Sequence, residues 1–176
     1  YFALFLVQIE GIGFQMNYMG LFLDIFEKNG NHVTLLQCNN AYPTPLEDIN
    51  IKSIETLSHF KGVDLVGLSD HTMSTLTPAL AVAAGAQVIE KHYTLSKTME
   101  GPDHSFAMEP DQLKEMVQNI REAEKAMSTR GKGYSKSEES FSKARRSVVT
   151  KCDLKKGDIL TEDNITTKRP LLKESV

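Results

Sequence analysis

Short apolar runs of strand type alternate with helical patterns through the middle of the chain. His32 to Cys38 (HVTLLQC) reads as a buried strand, followed by a polar, proline-bearing loop from Asn39 to Pro45. A helix beginning near Glu47 puts Ile51, Ile54 and Leu57 on one face. Val63 to Leu68 is a second strand, with a loop from Ser69 to Thr75 and a small apolar helix over about Pro78 to Ala84. Gln87 to Lys91 is a third strand, and its long loop, His92 to Glu109, holds Gly101-Pro102. A long helix then starts at Pro110, a residue favoured at the first helical position. Leu113, Met116, Val117, Ile120 and Met127 mark its apolar face. Strand, loop and helix in three successive units predict parallel α/β structure.

The flanks are built differently. The first 26 residues hold seven aromatics and only two charges, Glu10 and Asp24. There is no basic segment or small-residue cleavage site of the targeting kind, and Glu10, Gln15 and Asn17 interrupt the apolar run. No membrane role is expected, and residues 1–19 read as a foreign or frame-shifted start. A helical pattern runs from Gly20 to Lys28, and Asn29-Gly30-Asn31 closes it. At the other end, residues 128–144 are rich in Gly, Ser and Lys and read as a linker. Beyond it, residues 145–176 form a second module. Ser147 to Lys151 alternates as a strand, and Lys155-Lys156-Gly157-Asp158 is a turn. Thr161-Glu162-Asp163 can cap a short helical turn, and Ile159, Leu160 and Ile165 are its apolar anchors. So small a core is predicted to lean on a partner.

Length, charge and cysteine content narrow the picture. A complete (β/α)8 barrel takes roughly 200 residues or more, so 176 residues cannot hold one and a second module as well. The net charge of −3 gives no basic field for nucleic acid. Two cysteines are too few for a disulfide framework, which points to a reducing compartment, the cytoplasm.

In parallel α/β architectures chemistry sits on loops at the carboxyl ends of strands. The polar residues gather there: Asn39, Asn40 and Tyr42; Ser69, Asp70 and His71; Lys91, His92 and Asp103. His71 and His92 follow successive strands. If those strands end side by side, both imidazoles enter one mouth, where they could hold a divalent ion with positions left for water and substrate. The plainer alternative is two separate strand-end histidines, each hydrogen-bonded in place. Asp70 can orient the loop or the imidazole, and Asp103 sits in a rigid Gly101-Pro102-Asp103-His104 loop; either could equally be a turn residue. Ser69 and Asn40 can bind an anion, and Lys168-Arg169-Pro170 offers a basic pair that would ordinarily be a solvated tail. Cys38 reads as a small core residue. His32, His59 and His104 read as surface or supporting residues.

Several strings together carry a resemblance. Asn40-Ala41-Tyr42-Pro43-Thr44-Pro45, Gly67-Leu68-Ser69-Asp70-His71-Thr72, Glu90-Lys91-His92-Tyr93-Thr94-Leu95 and Gly101-Pro102-Asp103-His104 resemble, in order and spacing, the sialic acid synthase family. Arg145-Arg146-Ser147, Lys155-Lys156-Gly157-Asp158 and Lys168-Arg169-Pro170 resemble that family's C-terminal antifreeze-like (SAF) domain. The resemblance covers about residues 28 to 170. It implies the C-terminal part, about three β/α units, of a (β/α)8 TIM barrel in residues 20–127, followed by the antifreeze-like domain. It implies condensation of phosphoenolpyruvate with N-acetylmannosamine or a related amino sugar, giving a nonulosonic acid and phosphate. It also implies a divalent metal, typically Mn²⁺, on His71 and His92. Asn40 and Ser69 would contact the phosphate end of phosphoenolpyruvate, and Tyr42 and Asp103 the sugar hydroxyls. Arg169 would reach the N-acetyl group across a domain-swapped homodimer. The family's first half, with further Glu and Lys residues for phosphoenolpyruvate, has no counterpart here, so the isolated chain is expected to be inactive. The alternative is a non-catalytic remnant that serves as a carbohydrate-binding or dimerisation module.

Overall fold

The computed structural model of the chain describes residues 4–10, 16–128, 131, 133 and 135–171. They divide into two compact units, one within residues 1–129 and one within residues 130–176.

The first unit is a parallel sheet of four strands: β1 (Leu4–Glu10), β2 (His32–Cys38), β3 (Leu65–Asp70) and β4 (Val88–Lys91). Their spatial order follows their sequence order without reversal. That is the order of a barrel wall; a doubly wound sheet reverses at a switch point. A helix follows each strand: α1 (Met16–Lys28), α2 (Ser53–Ser58), α3 (Thr77–Ala83) and α4 (Pro110–Met127). The unit is therefore a section of a TIM barrel with four β/α units. The pattern of the chain had predicted three, because residues 4–10 read as a foreign start. In the structure they form an edge strand paired with β2 along its full length, from Leu4 opposite His32 to Glu10 opposite Cys38.

Each strand carries one face to the helices. Val33, Leu35, Val66, Leu68 and Ile89 pack with Met19 and Leu23 of α1, Ile54 and Leu57 of α2, and Ala81 of α3. Because side chains alternate, the opposite face carries Leu36, Gly67 and Val88 in one row and Cys38, Ser69 and Glu90 in the next. One step further along on that face come Asn40, His71 and His92. The expected helix near Glu47 is broken in two, a 3-10 turn at Leu46–Asp48 and then α2, with Asn50 left-handed (φ 50°) between them. α4 begins at Pro110 as predicted, and Gln112 Oε1 accepts the Glu109 N–H at 3.2 Å to close a capping box.

One short link holds the base of the sheet. Asp64 Oδ2 accepts the Val33 N–H at 2.8 Å and its Oδ1 lies 2.9 Å from His32 Nδ1. These hydrogen bonds keep the Asp64 carboxyl below its ordinary pKa. A depressed acid stabilises the fold above its unfolded pKa and loses that contribution as pH falls through the folded value. Asp64→Asn is expected to cost about 1 kcal/mol at pH 7, with the difference from wild type shrinking in melts below about pH 4.

The second unit pairs β5 (Ser147–Thr150) antiparallel with β6 (Ile165–Lys168). The turn expected around Thr161 is present: the Asn164 and Ile165 N–H groups both donate to Thr161 O at 3.1 Å, and Asn164 Oδ1 accepts the Thr161 N–H at 2.8 Å. The expected apolar anchors do not fill a core. Ile159 is 81% exposed and Leu160 62%, and only Ile165 is half-buried. Among the described residues no helix is long and apolar enough to cross a membrane.

Candidate functional site

The site lies where β2, β3 and β4 end. β3 delivers His71 and β4 delivers His92, and their ring centroids stand 5.3 Å apart. The sheet brings them together because Asp70 is in register with Lys91, the residues immediately before the two histidines. The loop after β2 folds Tyr42 over the pair, 4.1 Å from the His71 ring and 5.7 Å from the His92 ring. Phe106 completes the aromatic cluster, 5.2 Å from His92 and 5.3 Å from Tyr42.

His71 is held from two directions. Its Nδ1 lies 2.7 Å from the Asn39 carbonyl, and its own carbonyl accepts the Thr44 N–H at 2.9 Å. A carbonyl can only accept, so Nδ1 donates this bond, and the neutral ring would hold its lone pair on Nε2. His71 is 3% exposed. His92 is more open, with its Nδ1 3.8 Å from Asp103 Oδ2. At that distance the carboxylate is a neighbouring charge and not a hydrogen-bond partner of the ring. Imidazole in its neutral form is a good ligand for a borderline divalent cation. Among the described residues no group of three or more His, Cys, Asp or Glu is placed to hold a metal. Among the described residues the candidate donors are thus the histidine pair, which would fit an ion whose other positions go to water, substrate or further residues.

The loop after β4 is pinned at its base. The Met108 N–H donates to His92 O and the Thr94 N–H to Met108 O, each at 2.9 Å. Within the loop, Thr94 Oγ1 lies 2.7 Å from His104 Nδ1. Gly101 has φ 146°, and a Cβ there would come within 2.8 Å of the His104 ring. Asp103 is held in this fold of the loop with its side chain exposed toward His92.

The structure thus brings together His71, His92, Tyr42 and Asp103. Ser69 lies one step deeper, 3.5 Å from His71 Nε2, and donates to Glu90 Oε1 at 2.7 Å. Asn40 is exposed at the start of the β2 loop. Asp70 does not touch the His71 ring. It accepts the Thr72 N–H at 2.8 Å and pairs with Lys91 at 2.9 Å, so it shapes the loop. Burial pulls the Lys91 pKa below its ordinary value, against the raising effect of Asp70. Arg169 lies in the second unit, exposed just after β6. Glu90 and Phe106 escape sequence reading, as does the pairing of Asp70 with Lys91. Glu90 had a usable signal, since it stands two residues before His92 as Ser69 stands two before His71, and period-2 alternation puts all four on one face.

Comparison with known proteins accords with this geometry. The NeuB family matches residues 14–132, and the SAF domain matches residues 145–176. The chain is 45% identical over 152 residues to the N,N'-diacetyllegionaminic acid synthase of Campylobacter jejuni, covering 84% of this chain and 45% of that protein. It is 38% identical over 134 residues to human N-acetylneuraminate-9-phosphate synthase, covering 76% and 37% respectively. Among solved structures, the N-acetylneuraminic acid (sialic acid) synthetase of Leptospira borgpetersenii, in complex with citrate, superposes with a TM-score of 0.68 at 29% identity. That match covers 77% of this chain and 47% of that one. The chain spans less than half the length of each of these three proteins. With a half-barrel that ends in this histidine pair and a C-terminal SAF domain, the chain belongs to the NeuB family of sialic acid synthases.

Proposed function

We propose that these residues serve a nonulosonic acid synthase, which condenses phosphoenolpyruvate with an N-acetylated amino sugar such as N-acetylmannosamine. The observation that carries this is the convergence of His71, His92 and Tyr42 at the carboxyl end of the sheet. The names of the relatives support it. In the reaction, C3 of phosphoenolpyruvate bonds to the aldehyde carbon of the open-chain sugar. Water adds at C2, and phosphate leaves by C–O cleavage.

His71 and His92 would hold a divalent metal, Mn²⁺ by family resemblance. When bound, such an ion supplies Lewis-acid polarisation of the aldehyde and stabilises the developing alkoxide. The chain's own residues do the rest by orientation, which contributes several kcal/mol to such a bimolecular step. Tyr42 and Asp103 flank the histidines and would hold sugar hydroxyls. Ser69 and Asn40, lower on the same face and at its rim, would contact the phosphate end of phosphoenolpyruvate. Arg169 would reach the N-acetyl group from a swapped partner chain, which would also cover the exposed Ile159 and Leu160.

Four strands are half of an eight-stranded wall. The 176-residue chain by itself is therefore expected to release no phosphate. A protein in which these residues close a complete barrel is expected to do so only when phosphoenolpyruvate, the amino sugar and Mn²⁺ are all present. Phosphate release that ignores the sugar would overturn the reading. A panel of mono- and diacetamido sugars in the same assay identifies the product.

A further inference from the structure

The floor of the site holds an ion pair that the reaction itself does not use. Asp70 and Lys91 lie on the helix-facing side of β3 and β4, with side chains 0% and 5% exposed. Two charges so placed cost desolvation free energy, and an apolar pair of similar volume would often be at least as stable there. An apolar pair, however, could not make directional bonds. Lys91 Nζ donates to Asp70 Oδ2 at 2.9 Å and also to the Thr72 carbonyl, while Asp70 Oδ1 accepts the Thr72 N–H at 2.8 Å. Thr72 is thus gripped at both its N–H and its C=O. His71 lies between two anchored residues, Asp70 and Thr72, and both anchors lead to Lys91, the residue that precedes His92.

We propose that the Asp70–Lys91 pair is a positioning strut that sets the spacing of His71 and His92, so that the two imidazoles act as one chelate. This rests on the metal reading above. A chelate gains most over two separate ligands when the separation is fixed before the cation arrives. The β3–β4 ladder ends at Asp70 and Lys91. Past that point the strut is what ties the chain before and after His71 to the residue before His92.

The test is a titration of the 176-residue chain with Mn²⁺ alone, following paramagnetic broadening of the His71 and His92 ring-proton signals. In the wild type both rings are expected to broaden along one curve. Lys91→Met keeps most of the stem and removes the charge and its bonds. It is expected to raise the midpoint for both rings about tenfold or more. Asp70→Asn keeps an acceptor for Thr72 but loses the carboxylate; it should shift the same way, and it decides the question if Lys91→Met does not fold. Leu57→Ala, a cavity in the helix-side core, serves as the control for lost stability and should keep the single wild-type curve. A midpoint within about twofold of wild type in the folded strut variants would overturn the strut, as would an equal shift in Leu57→Ala. No broadening in the wild type would instead overturn the metal reading, and the strut with it.

Discussion

Gly67→Ala is expected to be the most damaging single-methyl change in the barrel unit. Gly67 sits in the middle of β3, between Leu36 of β2 and Val88 of β4. A Cβ there would overlap the Val88 carbonyl oxygen and stand 2.6 Å from Leu36 Cδ2. Neither neighbour can yield easily. The carbonyl belongs to the backbone of the adjacent strand, and Leu36 is fully buried. Strand propensity alone argues the other way, since glycine in a strand interior ordinarily weakens it. The sign of the effect therefore separates the two accounts. Overpacking predicts a loss of about 3 kcal/mol, or roughly 10 °C in the melting temperature of this unit. Unchanged or raised thermal stability would show that β3 and β4 are not in the register described. A shift of that register would also move His71 relative to His92, so this substitution tests the site as well as the sheet.

How far the pattern of the chain reached depended on where each element found its partners. The seven residues of β2 are apolar enough to mark both ends, and prediction and structure agree there. β3 runs two residues beyond its apolar stretch, to Ser69 and Asp70. Those side chains are polar yet buried, because Glu90 and Lys91 on the next strand take up their hydrogen bonds. Hydropathy has no access to a partner 21 residues away. β1 was passed over for a related reason, since its meaning comes from pairing with β2. β6 is a short run with two threonines that becomes a strand only against β5. The histidines were legible because strand ends in a parallel sheet must converge. Phe106 was not, because its approach to His92 depends on Met108 folding the loop back onto His92 O. The SAF unit shows the opposite case: Ile159 and Leu160 had the right residue type for a core, but the described unit leaves them at its surface.

His71→Ala and His92→Ala should both abolish metal-dependent synthesis in a complete barrel, yet differ in their effect on the fold. Loss of either imidazole removes half of the chelate, and a fall in kcat on the order of 10³ is expected, equivalent to about 4 kcal/mol of transition-state stabilisation. Mn²⁺ broadening of the remaining ring should need much higher ion concentrations in each. Stability should separate them. His71 is buried beneath Tyr42, and its removal strips the Asn39 carbonyl of its strongest donor and opens a cavity. A cost of about 2 kcal/mol follows from those two losses. His92 is a third exposed and pairs only loosely with Asp103, so His92→Ala should melt within about 0.5 kcal/mol of wild type. The double variant is then informative. If the histidines act as one chelate, removing the second costs little more activity than removing the first. Multiplicative losses would mean two independent roles, and normal turnover in both single variants would remove the histidines from the chemistry altogether.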